Sequence, residues 1–253
     1  MDRIFVFFGD LLTRMASQDG SLGSAVFLFT ACAVLFMMIS IASEIRSLQI
    51  ADHIRPLHEL VLDALQDDPE EMGKTLIKLH RDFGYHTLLG VSGNLVHVVM
   101  VFLLAGTFLS PEAYLPMFGE GTRQFLWLRD MAVSPLSLIL QGKFWPELVL
   151  AALGIFVMDY MVSFNVRFNI RRSLMPVEKL YKGISVAFLL AAFLLPQVVT
   201  VYFLLYYFLK NIILIVFLRF IPYTLSPAQQ VYYGEYTKKY KANKTSKRSK
   251  GGK

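Results

Sequence analysis

Cysteine is nearly absent: Cys32 is the single one in 253 residues. No disulfide can form within the chain, and no Cys/His spacing matches a zinc site. Charge is scarce too, at 17% of residues against 55% hydrophobic, and the mean hydropathy is +0.49. That balance is too apolar for an ordinary soluble domain. The sequence contains no G-x-x-x-x-G-K-[ST], no G-x-G-x-x-G and no G-x-S-x-G. ATP-driven transport and the common serine hydrolases therefore find no support within this chain. No cofactor, metal ligand or catalytic residue is expected.

What the chain has instead is long apolar runs. Segments near 24–42, 87–108, 147–165, 183–199 and 200–219 approach or reach the ~20 residues that a bilayer core of about 30 Å requires. The last two meet at Pro196–Gln197. Proline cannot sit inside a continuous helix without breaking its ladder, so a tight hairpin is predicted there. The fold class expected is an all-α integral membrane protein: five transmembrane helices, an N-terminal interfacial helix and a helical hairpin. Residues 1–20 form the amphipathic helix, with Ile4, Phe7, Phe8, Leu11, Leu12 and Met15 set apart from Asp2, Arg3, Asp10 and Arg14. A cleaved signal peptide would have an uninterrupted apolar centre, which this segment lacks.

Basic residues set the orientation. Arg167, Arg171, Arg172, Lys179 and Lys182 cluster between the third and fourth spans, and the tail over 220–253 is rich in Lys and Arg. Both are expected in the cytoplasm, with the mixed-charge loop 109–146 and the N-terminus outside. Residues 43–86 then form a cytoplasmic helical hairpin. Ile45, Leu48, Ile54, Leu57, Val61 and Leu65 recur at helical spacing in its first arm. Asp68 caps the second arm, Pro69 opens it, Met72, Leu76, Leu79 and Phe83 line one side, and Gly84 stops it.

Ionisable residues inside spans are costly and by default functional. Asp159 and Ser163 share a face of the third span, while Tyr202, Tyr206 and Lys210 share a side of the fifth. Asp159 either pairs with Lys210 to hold two helices together or lines a polar groove. Gly90, Asn94 and His97 line up in the second span, where interhelical hydrogen bonding is the plainer reading. Ser40 and Glu44 close the end of the first span, with Glu44 expected in solvent. Trp127, Trp145 and Tyr114 are expected as interfacial anchors. In the tail, Lys238, Lys239, Lys241, Lys244, Lys247 and Arg248 suit anionic lipid or ribosomal RNA; no DNA partner is expected.

The order of these parts resembles the conserved core of the YidC/Oxa family of membrane protein insertases over roughly residues 1–220. "IRSLQIADHIRPLHEL" (45–60) resembles the family's stretch after the first core span, where a basic run leads to a proline, and "LIKLHRDFGYH" (76–86) is similar to the end of its hairpin. "FLWLRDMAVSPLSLIL" (125–140) resembles its Phe-Leu-Trp loop, and "VYFLLYYFLKNIILI" (201–215) its final span, with Asn211 at a recurrent asparagine. The resemblance implies an insertase and chaperone for newly made membrane proteins, with no covalent catalysis. It would have a groove open to the cytoplasm and lined by residues such as Asp159, Ser163, Lys210, Asn211, Tyr206, Asn94, His97 and Ser40. It also implies a ribosome-binding tail, cooperation with a general translocon and a place in the bacterial inner membrane. One departure stands out. The family's first-span arginine is replaced at the matching position by Val34, so Lys210 is the candidate substitute cation. A specialised paralogue serving one membrane complex, and a proton-coupled transporter or membrane enzyme using Asp159, His97 and Lys210, stay open as alternatives.

Overall fold

The computed structural model describes residues 2–16, 20–85, 89–109, 118, 122–174 and 178–250, with side chains described except at 2, 89–95 and 243–250. These residues form ten helices: α1 (Asp2–Met15), α2 (Leu22–Phe36), α3 (Met38–Ala64), α4 (Pro69–Phe83), α5 (Leu89–Leu109), α6 (Pro135–Leu140), α7 (Glu147–Arg172), α8 (Glu178–Leu194), α9 (Gln197–Phe220) and α10 (Pro227–Lys250). Among the described residues the sole β feature is an isolated bridge between Phe125 and Leu128.

By length and composition, α7 and α9 can each cross a membrane, and α2 with α3 makes a third crossing if that bent pair is one span. The first expected span is therefore not one straight helix: α2 and α3 meet at Met37 with a bend of 58°. No proline or glycine lies at the break, whereas Pro56 sits inside α3 without ending it. Pro56 is exposed, so the backbone carbonyl it leaves unpaired can turn to solvent. The other two expected spans correspond to α5, 21 residues with an apolar stretch over Val96–Leu109, and to α8, whose first turns carry Glu178, Lys179 and Lys182. The predicted break at Pro196 is present: α8 ends at Leu194 and α9 starts at Gln197, with Pro196 as its N-cap.

Two apolar clusters organise the chain. The larger gathers α1, α2, the start of α3, the end of α5, the 125–132 loop, α7 and α9. In α1, Phe5, Phe8 and Leu12 are buried while Ile4 and Phe7 are exposed, so this helix has apolar side chains on both sides. The Phe8 ring meets Phe29 edge-on at 5.2 Å. At Gly106 of α5, the Phe5 ring occupies the space a β-carbon would need, so only glycine lets α1 and α5 approach this closely.

The smaller cluster joins the far half of α3 to α4 and, less expectedly, to α10. Ile54, Leu57, Val61, Leu79 and Phe83 are its buried centre. The Asp68 carboxylate accepts from the Glu71 N–H at 2.9 Å, and Gly84 takes the left-handed conformation (φ 68°) at the other end of α4. The tail, read from sequence only as a basic segment suited to anionic lipid or ribosomal RNA, forms α10, and its aromatic side docks here. Tyr236 and Tyr240 are buried; the Tyr236 hydroxyl donates to Asp82 Oδ2 at 3.1 Å, and Gln229 Nε2 donates to the Phe83 carbonyl at 3.0 Å. Tyrosines three and four residues apart give the helix an apolar stripe, and the lysines fall between them on the outer face.

A histidine pair sits under this junction. His58 of α3 and His80 of α4 stack with parallel rings 5.6 Å apart, and Tyr85 meets His80 at 4.8 Å. Burial and the neighbouring His58 push His80 down from 6.5 to about 4, and burial with Arg55 lowers His58. The unfolded chain therefore binds protons that the folded pair refuses. Stability of the α3–α4–α10 unit is full above pH 6.5 and falls as the pH drops toward about 4. The unit's denaturant midpoint should follow that course, and His80→Phe should flatten it to the smaller slope left by His58.

Candidate functional site

The helix lengths and turns described above bring polar groups from four helices together inside the larger cluster. Lys210 is buried on α9, and its Nζ lies 2.9 Å from Glu44 Oε2 and 3.1 Å from Oε1. Both side chains are largely covered, at 9% and 13% exposure. The partner is thus Glu44 of α3, not Asp159, and Glu44 is not in solvent as its position near a span end had suggested. The α2–α3 pair bends at Met37, and the second turn of α3 lies against α9, which places Glu44 beside Lys210. The Tyr207 ring lies 6.0 Å from the ammonium, at the outer limit of a cation–π contact.

On one side of this pair, His97 of α5 exchanges a 2.9 Å hydrogen bond through Nδ1 with the Tyr202 hydroxyl, and its ring meets Tyr206 edge-on at 3.9 Å. Tyr202, Tyr206 and Lys210 occupy one buried face of α9, as their four-residue spacing predicted. On the other side, Asn165 Nδ2 donates to Asn211 Oδ1 at 3.0 Å, and Asn211 Nδ2 donates to the Met161 carbonyl at 3.1 Å. Asn169 Nδ2 donates to the Asn165 carbonyl and side chain, both at 3.0 Å. The result is a polar seam running from His97 across Lys210–Glu44 to Asn169.

Two buried atoms in the seam, His97 Nε2 and Asn169 Oδ1, have no protein partner among the described residues. Each leaves hydrogen-bonding capacity that a buried polar group normally uses. The seam thus holds one ion pair and two hydrogen-bonding positions without a protein partner among the described residues. Among the described residues no cluster of His, Cys, Asp and Glu could hold a metal ion.

The remaining sequence candidates lie elsewhere. Asp159 is half-buried on another face of α7 and forms no ion pair among the described residues. Ser163 lines a shallow groove on α7 with Tyr160 and Arg167. Ser40 is half-buried on α3, one turn before Glu44. Gly90 and Asn94 lie in α5, while Tyr114 and the side chains of Asn94, Lys244, Lys247 and Arg248 lie outside what the structure describes. Lys238, Lys239 and Lys241 are exposed on the outer face of α10. Asn165, Asn169 and Tyr207 were missed, although "NVRFN" shows two asparagines four apart, the spacing that puts both on one helix face.

At the opposite end the bundle is plugged by the loop after residue 121. Buried Arg123 pairs with Asp130 at 3.3 Å, the Val198 N–H donates to the Met131 carbonyl at 2.8 Å, and the Gln197 N–H to the Val133 carbonyl at 3.1 Å. Trp127, expected as an interfacial anchor, is half-buried in this plug beside Gly154, while Trp145 is exposed. No family model and no curated protein matches the chain.

A buried ion pair stripped of one partner leaves an uncompensated charge, at a cost of about 3–5 kcal/mol. Lys210→Met and Glu44→Gln should each lower stability in detergent by about that amount, and the double variant should recover most of it. Asp159→Asn breaks no ion pair and should show no such loss. A chemical unfolding series checks all four.

Proposed function

We propose that this protein is a membrane protein insertase and folding chaperone of the YidC/Oxa type. In this reading it is a multi-pass protein with five spans, N-terminus outside, in a bacterial cytoplasmic membrane. The observation that carries the reading is the polar seam: an ion pair and a run of amides and rings buried in an otherwise apolar bundle, plugged at one end and facing the α3–α4–α10 unit at the other. A polar segment entering a bilayer faces a large cost of lost hydration, and hydrogen-bonding side chains in its path lower that cost without fuel. Lys210 would supply the cation that relatives carry in their first span, since Val34 is buried and apolar here. An acidic residue of the substrate would exchange with Glu44 for the ammonium, and the seam's unpartnered atoms would accept or donate to its backbone.

The α3–α4–α10 unit would receive substrate, and the exposed lysines of α10 would hold the ribosome by salt-sensitive phosphate contacts. A general translocon is a further partner in this reading. The dedicated-paralogue alternative draws on the same departure at Val34.

The test is insertion of a small single-span substrate into liposomes containing only this protein, read by protease protection. Insertion should exceed that of empty liposomes, and folded Lys210→Met should lower the initial rate about tenfold, the equivalent of 1.4 kcal/mol of barrier. No insertion by verified, folded protein would move the reading to the dedicated paralogue.

A further inference from the structure

The seam leaves one charged surface unused. Along α7, Ser163, Arg167 and Arg171 follow at four-residue spacing, and Tyr160, Phe164 and Phe168 run beside them. Together these six residues line a shallow groove of about 280 Å³. Neighbouring cations are already committed: Arg172 pairs with Asp52 at 2.8 Å, and Arg55 donates to the carbonyls of Arg171 and Arg172 at 3.1 and 3.0 Å. Arg167 and Arg171 are exposed, and neither side chain forms an ion pair among the described residues. Like charges one turn apart repel, so the helix carries them at a small cost with no internal compensation. Asp159, the nearest acid on the same ridge, is eight residues from Arg167, about 12 Å by helical rise.

The groove is half apolar. Tyr160 is 64% exposed and Phe164 40%, toward the N-terminal end of the groove. Counting from Glu147, a core of about 30 Å is used up after ~20 residues, near Val166. That count sets the two guanidinium groups at the edge of the hydrocarbon and the aromatic rings within its last ~10 Å. We infer that this groove binds an anionic glycerophospholipid, its phosphate between Arg167 and Arg171 and one acyl chain along Phe164 and Tyr160. Guanidinium groups take phosphate oxygens bidentately, and the Ser163 hydroxyl adds a donor on the same ridge. A soluble polyanion would satisfy the arginines and leave the rings in water. The inference rests on the reading of α7 as a membrane span.

The experiment uses the full chain in detergent micelles, titrated with a fluorescent phosphatidylglycerol and with the matching phosphatidylcholine. Phosphatidylglycerol should bind about tenfold or more tighter, because both arginines attract its net negative headgroup and neither gains from the zwitterionic one. R167Q/R171Q should erase that preference. Arg167→Gln and Arg171→Gln singly should each lose several-fold, which decides the matter if the double variant does not fold. A Lys238/Lys239/Lys241→Gln variant of α10 should keep the preference. Equal binding of the two lipids, or an unchanged preference in the arginine variants, overturns the site. Displacement of the probe by millimolar inorganic phosphate overturns the lipid as its occupant. Alkaline carbonate extraction of membranes holding the same protein separates the two levels. Extraction would sink the membrane-spanning reading, whereas resistance with an unchanged lipid preference sinks the groove alone.

Discussion

The burial of Lys210 constrains the rest of the bundle. An ammonium inside a cluster of Leu, Val, Phe and Tyr side chains requires an opposite charge at hydrogen-bond distance, because an unpaired charge there costs several kcal/mol. Glu44 meets that need at 2.9 Å, and to do so α3 must pass close to α9. The bend of 58° at Met37 allows this, and the same bend points the remaining turns of α3 toward the smaller cluster. The ion pair thereby ties α3 to α9 before α3 runs on into the α3–α4–α10 unit.

The polar groups around the pair divide into two kinds. Asn165, Asn169 and Asn211 hydrogen-bond among themselves and to backbone, which pins α7 to α9. His97 and Tyr202 do the same between α5 and α9. These contacts hold helices together whether or not anything binds. His97 Nε2 and Asn169 Oδ1 differ from these in leaving hydrogen-bonding capacity unused within the seam. Insertase activity is proposed on that distinction. The plug of Arg123, Asp130 and Gln197 at the other end completes a bundle closed on one side.

The smaller cluster also changes how the basic tail is understood. Tyr236 and Tyr240 tie α10 to α3 and α4, so the exposed lysines are presented from a fixed helix rather than on a loose chain. The loss of side-chain and backbone freedom on binding a polyanion would then be partly met in advance. The stacked His58 and His80 lie between the α3 and α4 arms of this same unit.

Much was determined by the sequence itself. Apolar runs and basic loops give helices of spanning length, Asp68, Pro69 and Gly84 set the ends of α4, and Pro196 divides α8 from α9. These are local effects: the period of apolar residues, a missing N–H, a glycine free to take positive φ. The four-residue spacing of Tyr202, Tyr206 and Lys210 likewise placed them on one face. What faces them was decided by tertiary structure alone. Asp159 looked like the partner of Lys210 because both are costly charges in apolar runs, yet Glu44 holds that place and Asp159 sits on another face of α7. Pairing across helices depends on their rotation and on the bend at Met37, and neither leaves a signature in residue spacing. The docking of α10 was hidden for the same reason, since a tyrosine stripe shows that a helix has a face to bury but not which surface will bury it.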